Sequence, residues 1–480
     1  MFSYMNIVIT GEKLSSWFKL RALEILSLHR RQGVVGRQCP VWTVKGIGTR
    51  KRYFDSLDKL SPVITIFIYE HMKAEGGHVL SGDVAALRQA PARGARTGGR
   101  VRPGKRGYAV MSNDAIQGPP RGDWQVSSEI PLPRRRDYPI AIVGAGSIVN
   151  DAHLPAYRKA GFNVIGIYDQ QTDKARATAA RYGIDTVYAS LDDVLASPAA
   201  IVDVAVPARE NYAIATRVAQ AGKALLLQKP MAEDLATAGS IVAAVEEAGI
   251  VAAVNQQARW MPAALAMRDL IRRGLLGEIY QVTFLINVLT PWDTWPWIVA
   301  GEHVEVMYHS IHYLDTIRAL LGREPRLVFA DGSTVPGFAT GGETRTTIQL
   351  IFDGQLRATV VDTHHNSGGL VDQFATFRVE GTEGSAVAEL GLLKNYPTGV
   401  PDSFRYMSHN LQSGTWISPD LAGSWFPDAF IGTMASVMRG LEGAPGAPET
   451  SLRDNLGTLR IVMAAYRSMT SHCAVDPQSL

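Results

Sequence analysis

Hydrophobic and polar positions fall into a regular order only from Tyr138 onward. Residues 140–143 form a continuous apolar run closed by Gly144, which reads as a buried strand. Further apolar runs at 164–168, 201–206, 224–227 and 250–254 read the same way. Helical patterns lie between them. The run 152–160 follows the first strand. A helix over 173–182 is predicted with Thr172 as its cap and Gly183 as its stop. Ser190 caps a short helix through Leu195, 211–221 ends at Gly222, and 234–248 ends at Gly249. This β–α alternation implies a doubly wound parallel sheet. Ligands then bind beyond the carboxyl ends of the strands, where Gly144, Asp169, Pro207, Gln228, Lys229 and Asn255 stand.

The pattern changes after residue 256. A helix over 262–273 stops at Gly274, and 278–289 reads as a long strand. Residues 306–321 form a helix ended by Gly322. Strands are predicted at 326–330, 344–352 and 356–362, with Asp353-Gly354 as a hairpin signal. Two more, 375–380 and 386–390, flank a Gly-rich turn, and 453–469 is a closing helix. These elements suit an open, mostly antiparallel sheet covered by helices on one side. Its other face is expected to pair subunits into a homodimer or homotetramer. The expected fold is α/β: a dinucleotide-binding domain over 137–256, then an α/β domain over 257–480 that binds substrate and joins subunits.

Residues 1–136 read differently. Their apolar pieces lack sustained periodicity, and from Arg88 the chain turns rich in Arg, Gly, Ala and Pro. Such a segment has little apolar surface to offset chain entropy, so an irregular, largely disordered extension is expected. It is a basic arm, a tail without a role, or not part of the natural product. Organised patterning begins only after Met111, which is a plausible start.

Composition narrows the function little. The 480 residues are 46% hydrophobic and 19% charged, ordinary for a globular protein, and the net charge of +3 gives no reason to expect a nucleic-acid partner. Cys39 and Cys473 offer neither a disulfide framework nor a cysteine zinc site, so a reducing, cytoplasmic setting is expected. No apolar run approaches a membrane span, and no signal peptide is evident.

Chemistry is concentrated at the first strand end. Gly144 permits a tight turn, and Gly146 lets a pyrophosphate approach the backbone and the N–H groups of the next helix. Val149 stands where a third glycine is usual. Asp169 ends the second strand about 20 residues past Gly146, where a carboxylate accepts from a ribose 2′-hydroxyl. It would repel a 2′-phosphate, and Gln170-Gln171 brings no Arg, so NAD is expected over NADP.

From residue 138 to 475 the chain resembles the glucose-fructose oxidoreductase / inositol dehydrogenase / rhizopine-catabolism family of nicotinamide-dependent oxidoreductases. The resemblance rests on the Gly144-Ala145-Gly146 turn, Val206-Pro207, Ala221-Gly222-Lys223, Gln228-Lys229-Pro230, Asn255-Gln256-Gln257, His312-Tyr313-Leu314-Asp315 and Asp454-Asn455-Leu456-Gly457. It implies that Gly144, Ala145, Gly146, Ser147, Ile148, Asp169, Val206, Pro207, Asn211, Gln228 and Lys229 bind the cofactor. The family's Glu-Lys-Pro falls on Gln228-Lys229-Pro230, making Lys229 the active-site lysine. Its Asp-x-Gly-x-His falls on 308–312, making His312 the general base, with Tyr308 in place of the aspartate and Ser310 in place of the glycine. The implied activity is hydride transfer between NAD and a sugar, polyol or similar small hydroxyl compound. A cofactor-binding sensor without turnover, and redox-assisted elimination or hydrolysis, remain open on the same fold.

Two features keep two readings each. The Trp292, Trp295 and Trp297 loop is either a sugar-stacking lid or a packed structural loop. His364 and His365 either reach the substrate or lie at the surface. His309, His312 and Asp315 recur at three-residue spacing near His303 and Glu305, but H-x-x-H alone is weak and the family chemistry needs no metal, so none is assigned.

Overall fold

The computed structural model describes residues 124–411 and 415–480. The basic stretch after Arg88 and the start expected at Met111 lie outside the described residues. Residues 124–136 carry no helix or strand, yet they are tied down, so the expected disorder does not reach them. Ser127 N donates to Asp269 Oδ2 at 3.2 Å. The N–H groups of Arg134 and Arg135 donate to the Glu442 carboxylate at 3.2 and 2.8 Å.

Six strands build the first sheet: β1 Ile140–Val143, β2 Val164–Tyr168, β3 Thr186–Val187, β4 Ile201–Val204, β5 Ala224–Gln228 and β6 Ala252–Asn255. All pair in parallel, in the order β3-β2-β1-β4-β5-β6. The order reverses between β1 and β4, so the crevice for a dinucleotide opens at the end of β1. β1, β4, β5 and β6 are buried along their whole length, as continuous apolar runs require between two helical layers. The helices are α1 Leu154–Ala160, α2 Thr172–Tyr182, α3 Leu191–Ala196, α4 Asn211–Gln220 and α5 Leu235–Glu247. Ser190 and Asp234 cap α3 and α5 by accepting the N–H groups of Asp193 and Thr237. Thr172, expected as a cap, is the first helical residue, and Gln171 precedes it without a side-chain bond.

The second sheet has seven strands: β7 Ile279–Asn287, β8 Leu327–Ser333, β9 Arg345–Ile351, β10 Arg357–Thr363, β11 Phe374–Gly381, β12 Gly384–Glu389 and β13 Ser403–Ser408. Their order is β13-β12-β11-β7-β10-β9-β8. Every pairing is antiparallel except the central one: β10 runs parallel to β7, with Arg357 opposite Gln281 and Thr363 opposite Asn287. The longer helices are α6 Pro262–Arg272, α7 Ile311–Leu321, α8 Ala429–Leu441 and α9 Leu452–Ser471. One sheet face is core: Phe284 stacks on Phe377 with centroids 4.2 Å apart. The other is exposed and carries Leu285, Phe329, Val361 and Phe374.

β13 and α8 had no counterpart among the expected elements. α8 is buried through most of its length, so its sequence shows no polar face to set a period. Its Gly432 lies against the Trp260 ring, which a Cβ would meet at 2.1 Å. Among the described residues, no helix is long and apolar enough to cross a membrane.

Candidate functional site

The end of β1 has the geometry of a dinucleotide turn. Gly144 has φ +109°, and a Cβ there would lie 2.3 Å from the Ala205 carbonyl oxygen, so only glycine fits. Its N–H donates to Tyr168 O at 2.7 Å, locking the turn to the end of β2. Gly146 is exposed, with open space where a Cβ would be. Ser147 and Ile148 begin the next helix, whose first N–H groups have no intrahelical acceptor. That helix continues as a π-helical stretch, Val149–His153, before α1. Asp169 is fixed by two backbone donors, Ala145 N to Oδ2 and Gln171 N to Oδ1, both at 2.8 Å. Each carboxylate oxygen keeps lone-pair capacity for a ribose hydroxyl. The exposed glycine, the open helix start and the fixed carboxylate together fit a dinucleotide.

The other expected cofactor residues divide. Val206 and Pro207 follow β4 and are partly exposed along the same sheet edge. Asn211 is fully buried, and its amide donates to Pro230 O and Met231 O at 3.3 and 3.1 Å. It therefore holds the segment after Lys229. Gln228 is buried too: its Oε1 accepts from Lys229 N at 2.8 Å, and its Nε2 lies 3.3 Å from His153 Nε2. Asn255 Nδ2 meets the same nitrogen at 3.1 Å. Two amide donors require His153 Nε2 to accept, which leaves the proton on Nδ1 to donate to Asp203 Oδ2 at 2.7 Å. Gln228 is thus a brace beneath the lysine.

Lys229 and His312 come from different sheets' elements and converge. The Lys229 ammonium donates to the Tyr308 backbone carbonyl at 2.6 Å. Burial pulls its pKa from 10.5 down to about 7. His312, on α7, is buried, and its Nδ1 has no hydrogen-bond partner. Burial, then the Lys229 charge, then His309 and His364 hold it well below 6.5, so its imidazole is neutral. Tyr308 sits in a π-helical stretch, Val306–Ser310, before α7. Its hydroxyl donates to Glu233 Oε1 at 2.7 Å, and burial followed by that bond raises its pKa. The sequence had left this position without a carboxylate. Glu233 supplies one from the segment after β5, a pairing that no sequence spacing announces. Tyr308, Glu233, Arg209 and Trp297 line a cleft of about 310 Å³.

The spaced histidines part company. Asp315 forms a two-pronged ion pair with Arg259, at 2.7 Å for both contacts, so it is structural. The His303 ring lies tilted against Tyr466, with centroids 4.0 Å apart. His309 and the buried Glu305 meet His364, which the sequence left between substrate and surface; it is 2% exposed. Burial opposes the His364 charge, but Glu305 and Asp362 together raise its pKa to about 10. In the aromatic loop, Trp292 is buried and its indole N–H donates to His364 O at 3.0 Å. Trp295 Nε1 donates to Ser147 Oγ at 3.3 Å, so the loop rests on the dinucleotide turn.

Residues 138–256 match an oxidoreductase family with an NAD-binding Rossmann fold, and 264–387 match the GFO/IDH/MocA C-terminal domain. A D-apiose dehydrogenase from Paraburkholderia graminis is 30% identical over 353 residues, 71% of this chain and 90% of that protein. An oxidoreductase from Agrobacterium radiobacter, solved with NAD+, L-tartaric acid and magnesium, has the same fold, with a TM-score of 0.62. It is 21% identical and covers 72% of this chain and 99% of its own. The WlbA dehydrogenase from Bordetella pertussis, solved with NADH and UDP-GlcNAcA, gives a TM-score of 0.57 at 23% identity, covering 71% and 99%.

Proposed function

The chain belongs to the GFO/IDH/MocA family of NAD-binding oxidoreductases, and from that premise we propose a dehydrogenase that moves a hydride between NAD and a carbon bearing a hydroxyl in a sugar or polyol. The observation that carries this reading is the convergence of Lys229, from the end of β5, with His312, from the start of α7. The Lys229 ammonium is held 2.6 Å from the Tyr308 carbonyl, one helical turn before His312; its charge is available near neutral pH, and the His312 imidazole is neutral. Similarity to D-apiose dehydrogenase supports the substrate class.

Bound NAD supplies the hydride acceptor. Lys229 hydrogen-bonds the substrate oxygen and stabilises the negative charge that grows on it. His312 takes the hydroxyl proton on a ring nitrogen as the C–H bond breaks, and returns it in the reverse direction. Tyr308, held by Glu233, orients a second substrate hydroxyl. Gly144, Gly146, Ser147 and Ile148 seat the pyrophosphate, and Asp169 accepts from the adenosine ribose, favouring NAD over NADP.

Nicotinamide absorbance with a sugar and polyol panel, using NAD and NADP in parallel, tests the proposal. Turnover with NAD that is lost in Lys229→Ala and His312→Ala is expected. Tight NAD binding without turnover on any substrate would instead favour a sensor.

A further inference from the structure

Beside Lys229 and His312 lies a second group of polar side chains that the hydride reaction does not use. Glu305 immediately precedes the π-helical stretch, His309 comes four residues later, and His364 follows β10. His309 Nδ1 and His364 Nδ1 lie 3.0 and 2.7 Å from one oxygen, Glu305 Oε1. The two imidazoles stack with centroids 3.9 Å apart. Ligand atoms from all three residues lie within 4.8 Å of one another.

Protons alone leave this group incompletely satisfied. Both ring donors point at Oε1, while Glu305 Oε2 is buried and has no partner. Asp362, also fully buried, leaves its Oδ1 without a hydrogen bond, 3.2 Å from His364 Nδ1. Two stacked imidazolium rings would repel each other, so one proton charge at most faces two enclosed carboxylates. Buried carboxylates need pairing or a metal. Two imidazole nitrogens and one carboxylate form the three-ligand set of zinc sites that keep an open position. The set is also held in place before any ion arrives. Trp292 Nε1 and Thr290 N donate to the His364 carbonyl, and Glu305 N donates to Glu343 O at 3.1 Å.

We propose that Glu305, His309 and His364 bind one divalent transition-metal ion of the zinc class. The sequence set His309 near Glu305 but not His364, which comes from a strand end 59 residues from Glu305. The site stands independently of the dehydrogenase reading.

The test uses tag-free, full-length protein stripped of metal and titrated with Co²⁺, followed by Zn²⁺. One equivalent of Co²⁺ is expected to give a visible d–d band that Zn²⁺ displaces, and Zn²⁺ is expected to raise Tm. Glu305→Gln and His364→Gln, checked for native circular dichroism and NAD binding, should bind Co²⁺ at least tenfold more weakly. No visible band and no Tm shift in the wild-type protein would overturn the proposal. So would correctly folded variants that bind Co²⁺ as tightly as wild type. Because NAD binding is measured separately, failure of metal binding and failure of the dehydrogenase reading are distinguishable.

Discussion

Lys229 offers the most direct test of the chemistry, because its charge state is set by burial. Its pKa falls from 10.5 to about 7. At pH 7 about half of the molecules then carry the ammonium; at pH 8 about one tenth do, and at pH 9 about one hundredth. If the ammonium stabilises the substrate oxygen, kcat/KM falls about tenfold per pH unit above 7. His312 is neutral well below 6.5, so it adds no acidic limb near that value. Replacing Lys229 by Ala removes a charged donor to the developing oxyanion, which typically costs about 10²- to 10³-fold. Lys229→Arg keeps a charge that does not titrate, so the limb near 7 should vanish while part of the rate remains. The assay is kcat/KM against pH for the three proteins, which reports ionisations of the free enzyme. An alkaline limb near 7 that persists in Lys229→Arg would refute the assignment.

Four further outcomes are expected. Between about pH 7 and 10.5 the unfolded chain holds a proton on Lys229 that the folded chain has lost, so stability of the cofactor-free protein rises with pH there; chemical denaturation of Lys229→Met should show a smaller rise. Asp169→Ala removes the acceptor for Ala145 N and Gln171 N, so parallel NAD and NADP titrations should show a narrowed preference and denaturation a loss of about 1–3 kcal/mol. His312→Ala should lower turnover by about 10²- to 10⁴-fold, whereas Tyr308→Phe should cost about the 0.5–1.5 kcal/mol of one neutral hydrogen bond, or somewhat more given the charged Glu233; near-normal turnover in His312→Ala would move the base to another residue. Val361→Asp on the exposed face of the second sheet should shift sedimentation towards monomer if that face joins subunits; a wild-type monomer at micromolar concentration would count against the interface.

The first sheet was readable because each of its signals is local. A buried strand, a glycine turn and a capped helix each occupy a few adjacent residues, and Gly144 and Ser190 perform the tasks their residue types announce. Asp353-Gly354 marked its hairpin for the same reason, with Gly354 at φ +71°. What stayed hidden depends on partners distant in the chain. Asn211 and Gln228 stand where cofactor contacts were expected, yet their amides brace the lysine segment. Glu233 meets Tyr308 across 75 residues, and Asp315 meets Arg259 across 56. α8 escaped notice because burial on nearly all sides erases the polar–apolar rhythm from which a helix is read.

The parallel pairing of β7 with β10 has a consequence for the order in which the protein assembles. Parallel neighbours cannot be joined by a tight hairpin, and here the crossover between them contains Trp292, Glu305, Tyr308 and His312. His312, the proposed proton acceptor, is therefore carried on a long excursion that closes only when β10 returns to β7. Such non-local closure is slow compared with the formation of nearby contacts. The glycine turn and Asp169 need only β1, β2 and their close neighbours. A refolding chain is thus expected to regain nucleotide affinity before turnover, with His312 the last of the proposed catalytic groups to reach its place. Stopped-flow refolding in which both recover in one phase would show that the two sheets form as a single cooperative unit.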